Sequence, residues 1–459
     1  MTLATSLDAS FKPSPSRVRT SNWADGLRGI AAVFVVASHT TLCFARYVVP
    51  PSFSETGHIA LFQRPFLRLV GQGQSFVAIF FILLGFVNSL KAVQLARTGA
   101  VHDALASLAT SAFRRTGRLV FPAALVTVIV WFFCQLGAFQ VALKVDAFWL
   151  QTTSPRPSRS WGAAVADLLR QLFSTWIYGD NAYDQPQWAL VYLFKGSLYV
   201  FMTLLATVNA TPRFRLFTEL VLYMWSWAIG DGIVGLNVFA GMIMAEFSFH
   251  PIYKFPQTSR LPSILPSCLL ILGLYLCSFP DQFYDQTPWS AQLAHIGGAI
   301  IPSNASMGRY FAAWGGQMVC LAVFLSPSFR RFFSHPSFLW LGSISYSLYL
   351  LHGPLMRSVM TYMLYIPAIF TFTPALREDG SPDPGSLIPD PSFVRLCLFL
   401  PVFFTFVLAV SRLWTVKVEP RLGAASDSFE RFARTWGRGY VPRSPKVDHD
   451  TLLPMAVKE

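Results

Sequence analysis

The chain has 459 residues, of which 53% are hydrophobic and only 13% charged, with a formal net charge of +13. That charged fraction is about half the roughly 25% usual in soluble proteins. Together with a mean hydropathy of +0.45 it excludes an ordinary soluble enzyme and predicts an all-α polytopic membrane protein. The positive charge is not read as a nucleic-acid signal, because the basic residues gather in short segments between apolar runs.

Residues 1–22 are polar, carry Lys12, Arg17 and Arg19, and contain no cleavable signal, so they read as a disordered cytosolic tail. Apolar runs long enough for spans fall near 24–45, 73–95, 117–138, 188–208, 214–230, 232–250, 264–280, 308–326, 339–361 and 393–416. They predict ten transmembrane helices in one domain of residues 23–420, followed by a basic cytosolic tail of residues 421–459. Lys91, Arg97, Arg114, Arg115, Arg213, Arg215, Lys254, Arg260, Arg330 and Arg331 then all lie on the cytosolic side, while loops 46–72, 139–187, 281–307 and 362–392 are less basic. This alternation predicts a multi-pass endomembrane protein with both termini cytosolic. Within loop 139–187, Trp161–Tyr178 reads as an amphipathic helix lying on the membrane, and loop 372–392, rich in Pro, Gly, Asp and Ser, reads as mobile. The six cysteines are scattered without paired spacing, so neither a disulfide framework nor a metal site is expected.

Asp25-Gly-Leu-Arg28 opens the first span, and His39 follows Arg28 by eleven residues. Eleven steps of ~100° return to the same helix face, about 16 Å further along the axis. Ionisable groups at membrane depth usually face the bundle interior or a cavity; the plainer alternative is an interfacial anchor and a core histidine bonded to a carbonyl. Arg114, Arg115 and Arg118 precede Pro122 at the start of the third span, and the last two arginines are helix-surface neighbours. Their planar forks suit oxyanions, although ordinary positive-inside anchoring explains many such clusters. Arg28 and this cluster on one side, with His39 deeper, suit a ligand carrying phosphates at one end and a thin reactive arm; acyl coenzyme A has that shape. Lys195, within Trp188 to Ser197 of the fourth span, needs a counter-ion or must shed its proton. Glu246 reads as a structural partner for an arginine. Ser345, Tyr349 and His352 form a polar stripe at helical spacing, suited to lining a site or to bonding helices together.

These motifs, with Phe80-Phe-Ile-Leu-Leu-Gly85, stand in one order along the chain, and the sequence resembles the membrane-bound acyltransferase 3 family, most closely its fungal branch. The resemblance implies an integral membrane O-acyltransferase with acyl coenzyme A as co-substrate and no permanently bound cofactor. It implies catalytic roles for His39 and Arg28, donor binding by Arg114, Arg115 and Arg118, and an acceptor cavity lined by Trp188, Lys195, Ser197, Tyr349 and His352. The expected acceptor is the hydroxyl of a small lipophilic molecule such as a polyketide or terpenoid of secondary metabolism, with a surface glycan as the alternative. The chain departs from the family pattern at Leu84, usually Ser or Thr, and at Leu193, usually Glu, which implies altered acceptor chemistry, a substitute carboxylate such as Asp184 or Glu246, or reduced activity. A transporter without acyl-transfer activity, or a catalytically weakened family member, is the rival expectation.

Overall fold

The computed structural model describes residues 21–250, 264–366, 368–372, 375 and 383–436. The expectations for the N-terminal tail, for Lys254 and Arg260, for residues 373–374 and 376–382 of loop 372–392 and for the last residues lie outside these. The described chain begins with helices α1 (Asn22–Phe44), α2 (Gly73–Arg97), α3 (Val101–Gln135), α4 (Phe148–Thr153), α5 (Trp161–Ile177) and α6 (Ala189–Thr207). It continues with α7 (Pro212–Ala228), α8 (Gly235–Phe247), α9 (Ile264–Cys277), α10 (Pro288–Ile300), α11 (Met307–Leu325) and α12 (Pro327–Phe333). Then come α13 (Pro336–Leu355), α14 (Thr361–Tyr365), α15 (Ala368–Thr371), α16 (Phe393–Lys417) and α17 (Glu419–Thr435).

Each predicted apolar run falls on a helix, yet length does not make all of them spans. Among the described residues five helices are long and apolar enough to cross a membrane, or six if α11 and α12, bent by 103°, count as one span. Three elements correct the sequence reading. Helix α3 begins at Val101, well before the predicted run, and ends at Gln135, inside it. Helix α10 occupies a segment read as loop. The segment read as a basic C-terminal tail opens as a helix: α17 docks on α3, with Ser426 and Glu430 buried.

Helix α2 is central because it is apolar all round, and it packs against α1, α3, α6, α8 and α11. Helices α1 and α13 lie side by side in the same direction, and the small residues of the first motif explain how closely. A Cβ on Gly29 would stand 2.4 Å from the Gly342 nitrogen, and a Cβ on Gly342 would stand 2.1 Å from the Asp25 carbonyl oxygen. Only glycine allows this backbone approach.

After α13 the helix widens. Pro354 cannot donate a backbone bond, and Met356–Met360 form a π-turn. At that end of the bundle, the bridge between Val145 and Ile388 pins two loops together, and α4 buries Trp149 and Leu150 against Met356, Met360 and Phe403.

Candidate active site

Two histidines meet where α1 and α13 run in register. Gly29 and His39 are ten residues apart, as are Gly342 and His352, so the glycine contact is repeated one level up as an imidazole contact. His39 Nδ1 lies 3.0 Å from His352 Nε2. His352 is fully buried, and its Nδ1 is 2.7 Å from the Tyr349 carbonyl oxygen and 3.1 Å from that of Leu348. His39 is half-buried, and the Trp149 ring covers its other side with centroids 4.8 Å apart.

A buried ion pair braces this end. Arg357, fully buried one turn beyond His352, donates from Nη2 to Asp184 Oδ1 at 2.7 Å, from Nη1 to the Thr153 carbonyl at 2.7 Å and from Nε to the Gly353 carbonyl at 3.1 Å. It therefore ties α4, α13 and the loop before α6 together. Gln187 Nε2 donates to the second Asp184 oxygen at 3.1 Å. Burial outweighs the pull of Arg357 and leaves the Asp184 carboxyl raised to about 6.

The arginines stand at the opposite end of a hollow of about 740 Å³ between α1, α2, α3, α6, α13 and α17. Arg28 is held at its wall, donating from Nε to Ser345 Oγ at 3.1 Å and from Nη2 to the Gly342 carbonyl at 3.0 Å, with Asp25 at 3.1 Å. Arg115 and Arg118 line the same hollow and also a polar pocket of about 580 Å³ that includes Lys91. Among the described residues, buried Arg115 Nε has no hydrogen-bond partner. Deeper walls are apolar, formed by Phe80, Leu84, Leu193, Val35 and others, and the lining reaches Tyr349. Val35 is one helical turn before His39, and Tyr349 one turn before His352. The Tyr349 hydroxyl donates to the Pro186 carbonyl at this inner end.

The remaining expected site residues separate. Arg114 lines the polar pocket with Arg115 and Arg118 but not the hollow, and it turns toward α17, 2.9 Å from Glu430. Lys195 lies off the hollow, half-exposed on the other flank of α6, 3.4 Å from Asp231 and near the Tyr199 ring. Ser197 bonds back to the Leu193 carbonyl at 2.8 Å, and Trp188 faces the Arg309 guanidinium. The carboxylate beside Lys195 is Asp231, while Asp184 pairs with Arg357. Glu246 pairs with Arg97 and Arg215, at 2.7 and 2.6 Å, as the structural partner its position suggested. Sequence reasoning missed Arg357 and Trp149. Arg357 had a signal, a lone cation inside an apolar run three residues after a proline; Trp149 had none.

The sequence profile described as an acyltransferase domain matches residues 21–412. The chain belongs to the acyltransferase 3 family. The O-acetyltransferase PaAT-1 of Phomopsis amygdali is 26% identical over 396 residues, covering 74% of this chain and 73% of its own. The acyltransferase clz18 of Cochliobolus lunatus is 24% identical over 399 residues, covering 74% and 84%. No solved structure matches the chain. Family membership makes the protein an O-acyltransferase, sets the transporter reading aside, and agrees with the apolar helices in making it a membrane protein.

Proposed function

We propose that the protein moves an acyl group from acyl coenzyme A to the hydroxyl of a small lipophilic acceptor, as a ten-span enzyme of an endomembrane with cytosolic termini. The observation that carries this reading is the hollow. It has arginines at one end, apolar walls along its length, and an inner end one turn from two paired histidines. A phosphate on the donor would satisfy Arg115 Nε, and the pantetheine arm fits an apolar channel better than a sugar would. The bilayer reading of the shorter helices is supported by their outward faces. Phe214, Phe217, Val221 and Met224 of α7 and Ile264, Leu265 and Ile271 of α9 are exposed large apolar side chains.

In the reaction, His39 Nε2 takes the proton of the acceptor hydroxyl as its oxygen bonds to the thioester carbonyl carbon. The tetrahedral intermediate then expels the coenzyme A thiolate, breaking the C–S bond, and the thiolate recovers the proton from His39. General base work of this kind contributes ~10²–10⁴-fold.

Purified protein in lipid nanodiscs, given labelled acetyl and longer acyl coenzyme A with a panel of lipophilic alcohols, tests the reading. Esters formed by wild type and lost in folded His39→Ala support it. Donor binding without ester formation on any alcohol, but with transfer to a glycan, overturns the acceptor class. Full transfer by His39→Ala overturns the role of His39.

A further inference from the structure

We infer that His352 is a positioning residue that fixes the tautomer of His39, so that Nε2 of His39 carries the lone pair that receives the acceptor proton. This rests on the reading of His39 as the general base.

His352 Nδ1 lies within hydrogen-bond distance of two backbone carbonyl oxygens. Carbonyl oxygens only accept, so this nitrogen carries a hydrogen. His352 is fully buried, and its hydrogen-bond partners include no carboxylate, so its neutral form is the one the bundle accommodates. Its Nε2 is then a bare lone pair. The atom facing it at 3.0 Å is His39 Nδ1, which must supply the hydrogen of that bond. Only Nε2 of His39 remains without a hydrogen. The relay runs from His39 through His352 to the Tyr349 carbonyl, and each ring is held by the one behind it.

The arrangement does for His39 what a buried carboxylate does in a hydrolase triad, with a neutral acceptor in its place. It prevents the ring from presenting an N–H to the hydroxyl it has to deprotonate. The surrounding contacts hold the ring plane. The Trp149 and His352 rings both pack against His39, with ring centroids 4.8 and 5.0 Å away. Arg357, bound to Thr153 and Asp184, keeps the end of α4 beside them. A purely structural histidine pair would need no particular tautomer at the outer ring, and this difference is measurable.

The experiment is nitrogen-15 NMR of histidine-labelled full-length protein in nanodiscs, with the His39 signals identified by their loss in His39→Ala, alongside steady-state transfer. Neutral wild-type His39 is expected as the Nδ1–H form. His352→Leu is expected to convert it to the Nε2–H form and to lower kcat by about 10²-fold or more, with the donor KM within about twofold, since a wrong tautomer at a triad histidine costs up to ~10⁴-fold. His352→Gln, whose amide oxygen can accept from Nδ1–H, is expected to keep the wild-type tautomer and recover most of the rate. Nε2–H as the wild-type form overturns the inference even where His352→Leu does not fold. So does a His39 tautomer that is the same in all variants. Should His39→Ala retain activity while the tautomer still follows residue 352, the base reading fails and the coupling between the rings stands.

Discussion

Gly29 and Gly342 hold α1 and α13 at backbone contact, and the two histidines that follow each by ten residues are thereby brought within a hydrogen bond. The clash from any Cβ at Gly342 is with a backbone oxygen, which cannot rotate away. Gly342→Val is therefore expected to push the helices apart, costing about 1–3 kcal/mol in folding. Activity should fall by far more than that stability loss suggests, because the rings separate. Thermal unfolding and acyl transfer measured on the same nanodisc preparation check this. A variant with wild-type turnover would show that the close crossing does not position the histidines.

The arginines divide into two kinds. Arg118 and Arg115 face the hollow, whereas Arg114 is engaged by Glu430. Arg118→Ala is expected to raise the donor KM by about ten- to a hundredfold, the range for a lost hydrogen bond to a charged group at ~1.5–3 kcal/mol. Arg114→Ala should leave the donor KM within about threefold, because its guanidinium is engaged by Glu430 and does not line the hollow. Kinetics with varied acyl coenzyme A at saturating acceptor separate the two.

Much of this was legible because the signals were local. Apolar runs placed the helices, and Arg28, His39 and His352 stood out as polar groups where hydrocarbon was expected. The partnerships were not legible, since spacing along one helix does not say which neighbour it faces. Lys195 looked buried on its position in the run, but Asp231, beyond the next helix, draws it to the flank. Leu84 and Leu193, noted only as departures from a pattern, turn out to share one apolar cavity wall. Helix α17 was hidden by its own composition, since a stretch with three arginines and three carboxylates gives no cue that two of its residues will be buried against α3.

Arg357 and Asp184 are both fully buried, so removing one partner strands the other. Asp184→Leu is expected to destabilise the protein by about 3–5 kcal/mol, as for other broken buried pairs. The double variant Asp184→Leu with Arg357→Met should recover much of that loss, because a matched apolar pair leaves no uncompensated charge. Unfolding followed by intrinsic fluorescence for the two singles and the double closes the cycle. Strict additivity would mean that the two side chains do not support each other.

Helix α17 lies beyond the family match, which ends at residue 412, yet Leu422, Gly423 and Ala424 help to wall the hollow. It is fastened by Arg114, 2.9 Å from Glu430, by Ser347, 2.6 Å from Glu419, and by Phe113 stacked on Phe429, while most of its other residues face outward. Without it Ser347 keeps Thr415 as a partner at 2.6 Å, so the wall is removable without opening the bundle core. Ending the chain at Val418 is therefore expected to leave the fold intact and His39-dependent turnover measurable. The donor KM should rise about tenfold, equivalent to ~1.4 kcal/mol. Selectivity should shift as well, with octanoyl transfer gaining on acetyl transfer once the wall is gone. Leu193→Trp, which fills the same hollow from α6, should move selectivity the other way, toward acetyl. Both ratios come from one competition assay with mixed labelled donors. If truncation and filling shifted the ratio in the same direction, the hollow would not be where the acyl arm lies.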